Sequence, residues 1–60
     1  MTREELSLLM HYLNNKKPLT VKEVSLKRIL EKDNNLVRIE TTLNDNPDLR
    51  TTAWELLEVL

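Results

Sequence analysis

The chain contains no glycine, and its six asparagines fall in three tight groups, Asn14–Asn15, Asn34–Asn35 and Asn44–Asn46. Without glycine, a sharp reversal has to be made by another residue. Asn is the best substitute: it tolerates positive φ, caps helix starts and builds turns. The three groups therefore read as breaks between segments, and the segments between them have helical spacing.

Sixty residues allow one domain, spanning residues 1–60. A chain this short buries only about 60 % of the surface that its unfolded form exposes. Disulfides, a metal or a partner commonly make up the difference. The chain has no Cys and a single His, which excludes disulfides and thiolate sites and leaves no zinc site without carboxylates. No cofactor is expected. Helix packing, self-association, or both, remain.

Leu supplies 13 of the residues, Phe is absent, and Tyr12 and Trp54 are the only aromatics. Leu favours helix, whereas β-branched and aromatic residues favour strand. The composition predicts an all-α fold. No apolar run approaches the roughly 18 residues of a membrane span. Met1-Thr2-Arg3-Glu4-Glu5 is not the start of a secretory signal. The expectation is a soluble cytoplasmic protein. Abundant Asn and Lys beside one Ala and no Gly is also what AT-rich coding DNA produces, which suggests a low-GC bacterium or its phages or plasmids.

Four segments follow from spacing. The first runs from Thr2 to Asn14, with Thr2 and Glu5 spaced as a capping box. Leu6, Leu9, Met10 and Leu13 form its buried stripe, and Leu8 and Tyr12 widen it. That arc exceeds the roughly 100° of an ordinary surface helix, so neighbours are expected on two sides, and in so short a chain another molecule is one candidate source. Asn14 to Leu19 is a connector in which Pro18 blocks continuation, and Thr20 with Glu23 opens a second helix reaching Lys32. Its apolar residues divide between Val21 with Val24 and Leu26 with Ile29 and Leu30, which implies two contact surfaces or a bend near Ser25.

Residues 36–43 fit a helix or a strand. A lone strand has no pairing partner, so helix is preferred, either continuous with the second or starting afresh at Asn35. Asp33 would then lie in a turn. Asn46, Pro47 and Asp48 form a strong helix start, with Leu49, Ala53, Leu56, Leu57 and Leu60 as its stripe. The expected architecture is a bundle of three helices, or four if the middle one splits at residues 33–35.

Charge is uneven. Residues 16–32 sum to +4 and residues 33–60 to −4, within a net charge of −1. Such asymmetry can steer a partner or favour antiparallel self-association, although ordinary solvation of helix faces is the preferred reading of it. The basic residues Lys16, Lys17, Lys22, Lys27 and Arg28 are candidates for nucleic-acid contact, although those of the second helix point in several directions. The stretch from Leu13 to Val24 resembles the opening of winged-helix DNA-binding domains, but no separate recognition helix follows Val24. Residues 44–57 are similar to the last helix of ubiquitin-associated three-helix bundles, without their glycine turn. Neither resemblance amounts to a family assignment.

No catalytic constellation emerges: His11 lies on a polar face about two turns from Glu4, with no nucleophile elbow or phosphate loop. Trp54 lies off its helix's apolar stripe, among Arg50, Thr51, Glu55 and Glu58, as does Val59. Trp concentrates at protein interfaces because one ring buries a large area and keeps an N–H to donate. The sequence therefore predicts a non-enzymatic regulatory or adaptor protein that binds another protein and forms a homodimer through Leu8, Tyr12, Trp54 and Val59. A helix-turn-helix-like DNA-binding regulator and a structural assembly component are the alternatives.

Overall fold

A computed structural model describes all 60 residues. It contains four helices and no strands: α1 (Arg3–Asn15), α2 (Val21–Lys32), α3 (Leu36–Asn44) and α4 (Pro47–Val59). Residues 36–43 are helical, and the helix starts afresh. Asp33 closes α2, and its Oδ1 accepts from the Asn35 N–H at 3.0 Å. Asn35 then caps α3, accepting from the N–H groups of Val37 and Arg38. Asp33 thus holds the turn between the helices, and Asn35 satisfies the free donors at the start of α3.

Both capping boxes form. Thr2 Oγ1 accepts from the Glu5 N–H at 3.1 Å and Glu5 Oε1 from the Thr2 N–H at 2.8 Å. Thr20 and Glu23 repeat the arrangement at 3.2 and 3.0 Å. Each box satisfies two backbone donors that the helix leaves free.

The asparagines work differently from the expectation. No residue has positive φ, so none of them replaces glycine conformationally. Instead their amides donate to helix carbonyls: Asn15 Nδ2 to His11 O, which extends α1 one residue beyond Asn14, and Asn46 Nδ2 to Thr42 O, both at 2.8 Å. Asn46 occupies the N-cap position of α4 but makes no side-chain cap there, because its amide is turned back to the end of α3. Pro47 needs no N-terminal acceptor and fits that first turn.

The core consists of Leu6, Leu9 and Leu13 from α1, Leu26 and Leu30 from α2, Ile39 and Leu43 from α3, and Ala53 from α4. Met10, Tyr12, Leu19, Ile29, Leu36, Leu49, Leu56 and Leu57 pack around it. α4 touches each of the other three helices, and α1 packs against both α2 and α4. Both neighbours that the wide arc of α1 required are therefore in the same chain. Tyr12 is half-buried against the core, and Leu8 remains 52 % exposed.

Two further expectations change. α2 runs unbroken through Ser25 and packs against each of the other helices, but Val21 takes no part in this: it is 84 % exposed. Leu60 lies beyond the end of α4 and leaves the stripe it was assigned to. No helix is long and apolar enough to cross a membrane.

Truncation of a fully enclosed side chain, Leu26→Ala or Ile39→Ala, is expected to cost about 2–5 kcal/mol, set against a total of roughly 3–9 kcal/mol for a domain of this size. Val21→Ala should stay within about 0.5 kcal/mol. Urea titration followed by circular dichroism separates them; equal losses would contradict the core described here.

Candidate functional site

Trp54 follows Ala53. Since Ala53 faces the interior, a step of about 100° carries Trp54 to the rim of α4. One flank of the residue closes a cavity of about 200 Å³ with Met1, Glu40, Leu43, Asn44 and Arg50. The amino group of Met1 donates to Glu40 Oε1 at 2.6 Å across that space. The other flank opens onto a shallow groove formed by Pro47, Arg50, Thr51, Glu55 and Glu58. The residue is 39 % exposed, so it is seated along one edge and available along the other.

The other residues assigned to an interface do not join Trp54. Val59 is 78 % exposed, but five positions on the same helix turn it about 140° away from Trp54. Leu8 and Tyr12 are adjacent on α1 at i, i+4 spacing and form a separate strip.

The basic residues are also divided. Lys16 is engaged: its ammonium donates to both carboxylate oxygens of Glu23, at 2.7 and 2.9 Å, and lies 5.7 Å from the centre of the Tyr12 ring. Glu23 is the single buried charged residue, at 3 % exposure. Lys27 approaches Glu31 at 3.8 Å. Lys17, Lys22 and Arg28 are exposed and outside any ion pair. Two of the five candidates thus already hold carboxylates, which lowers the positive charge available to a phosphate backbone.

The Lys16–Glu23 contact was not visible in the sequence. The residues are seven positions apart, but the intervening connector is not helical, so no periodicity relates them. Thr20 N–H and Lys16 converge on one carboxylate, so Glu23 caps α2 and also ties the end of α1 to its start. The Lys16 hydrogen bond holds the Glu23 carboxyl below its ordinary 4.5, with the Thr20 bonds adding to this against burial. The same bond raises Lys16 above 10.5.

His11 is exposed on α1, with the Asn15 amide as its neighbour. No three His, Asp or Glu side chains cluster closely enough to hold a metal ion. Comparison with protein-family models, curated proteins and solved structures gives no match. The functional reading therefore rests on the chain's own surface.

A depressed carboxyl stabilises the fold above its unfolded pKa, and that contribution disappears as pH falls through the folded value. The raised lysine contributes below 10.5 and loses its effect as pH climbs past the folded value. Thermal stability should therefore fall in acid below about pH 4.5 and again in strong alkali. Lys16→Met should flatten both limbs and lower Tm more than Lys17→Met does. Equal effects of the two substitutions would show that the buried carboxylate does not depend on Lys16.

Proposed function

We propose that this chain is a small regulatory or adaptor protein that acts by binding protein, and that its four helices form a bundle that self-associates as a homodimer in the cytoplasmic setting read from its composition. The observation that carries this reading is the distribution of apolar surface. Eight apolar residues are buried, while six large ones, Leu8, Val21, Val37, Trp54, Val59 and Leu60, remain exposed. Scattered aliphatic residues on a surface are ordinary. A half-seated tryptophan beside an open groove is less so, because Trp contributes disproportionately where two proteins meet.

Among the four residues assigned to the interface, Trp54 has the supporting geometry: a ring anchored on one side, polar neighbours on the other, and a rigid helix beneath. Leu8 and Tyr12, assigned to the same self-association surface, lie on α1 as a strip apart from Trp54. The DNA-binding alternative gains no support from Lys16 and Lys27, both of which face carboxylates.

Sedimentation velocity over a range from low to several hundred micromolar tests the reading. The wild type should gain mass with concentration, and Trp54→Ala should remain near the monomer mass of 7.1 kDa. A wild type that stays monomeric throughout would overturn it.

A further inference from the structure

The outer face of α4 has a symmetry of spacing. Arg50 lies four residues before Trp54, and Glu58 lies four residues after it. At 100° per residue the three side chains fall within an arc of about 80°, one helical turn apart in each direction. All three are exposed, and neither Arg50 nor Glu58 has an ion-pair partner within the chain. They line one continuous groove with Pro47, Thr51 and Glu55.

We propose that this face is a homodimer interface in which two copies of α4 pair antiparallel about a two-fold axis at Trp54. The proposal deepens the self-association reading above and rests on it. In an antiparallel pair centred on residue 54, each position before the centre faces the equivalent position after it. Arg50 of one copy then meets the partner's Glu58, and the reverse contact forms on the other side of the axis. A two-fold interface must be complementary to itself, and this stripe carries both signs at matching distances from a central aromatic.

The charges are also poorly placed for an isolated helix. The macrodipole favours acids at the N-terminal end and bases at the C-terminal end. Here Arg50 lies just past the first turn, Glu58 lies in the last turn, and that turn holds no basic residue. Antiparallel pairing removes the conflict. Each Arg50 comes beside the negative end of the facing helix, each Glu58 beside the positive end, and the two macrodipoles oppose one another. A second copy therefore matches Arg50 and Glu58 together, whereas a uniformly basic or acidic partner would leave one of them opposed; Glu55, in the same groove, lies 100° round the helix from Trp54 and outside the pairing stripe.

The contact is short. Thirteen residues span about 20 Å, so the dimer belongs at the small, readily reversible end of interfaces. Its formation should depend on concentration and weaken with salt.

Charge exchange tests the pairing. Arg50→Glu and Glu58→Arg should each weaken dimerisation in sedimentation equilibrium by about tenfold, because each faces like charge with like. An equimolar mixture of the two variants should restore association, since every contact across the axis is then between opposite charges. The double variant Arg50→Glu/Glu58→Arg should dimerise as the wild type does. Circular dichroism checks that the helices persist, and the double variant, which suits the macrodipole better than the wild type, is expected to keep its helix content. Dimerisation indifferent to all these changes would overturn the α4 pairing and leave self-association through another face. Failure of the mixture or the double variant to recover would likewise overturn it. A monomeric wild type would overturn both readings.

Discussion

The close approach of α4 through Ala53 is the constraint on which the rest of the structure depends. Ala53 is the one fully enclosed residue of its helix, and through it α4 packs against all three of the others. A larger side chain at this position would push α4 outward from the leucines of α1 and α2 and the Ile39–Leu43 pair of α3. In an interior of eight apolar residues, little slack exists to absorb such a shift. Seating Ala53 also fixes what α4 presents outward: Trp54 at the rim, and the Arg50–Glu58 stripe facing solvent.

The ends of the helices supply the remaining order. A short helix leaves a large share of its backbone groups without partners, so caps matter more here than in a longer one. Thr2 with Glu5, Thr20 with Glu23, and Asp33 with Asn35 satisfy the starts, and the amides of Asn15 and Asn46 attend to the ends. No buried side-chain polar atom lacks a partner. Glu23 combines two of these roles, capping α2 and anchoring Lys16, and its burial is tolerated because its hydrogen bonds replace the water it loses.

Much of this was legible in the sequence, for identifiable reasons. The capping boxes are local patterns and appeared where their spacing put them. The helix at residues 36–43 followed from the lack of a pairing partner for a strand. The asparagine groups did mark the breaks, but by side-chain hydrogen bonding rather than by left-handed backbone, a choice that residue type alone does not determine. The source of α1's neighbours was left open for a related reason. Periodicity shows how wide an apolar arc is, not which chain covers it, and α2 and α4 cover most of it. Val21 looked like part of a second contact surface because any valine at helical spacing does; only packing reveals it as exposed. Lys16 and Glu23 meet across a connector whose path no pattern encodes. Around Trp54, the polar neighbours on α4 were evident, whereas Met1, Glu40 and Leu43 arrive from distant segments.

α4 therefore has two distinct surfaces, an inner one that organises the bundle and an outer one proposed to bring two copies together. The most direct measurement is an isotope-filtered nuclear Overhauser experiment on a mixture of labelled and unlabelled protein, observed at the Trp54 indole. The account predicts filtered contacts from that ring to the Trp54 ring and neighbouring α4 protons of the other copy, beside the intramolecular contacts to Leu43 in the unfiltered spectrum. An indole that reports only Leu43 and other protons of its own chain, in a sample concentrated enough to associate, would contradict it.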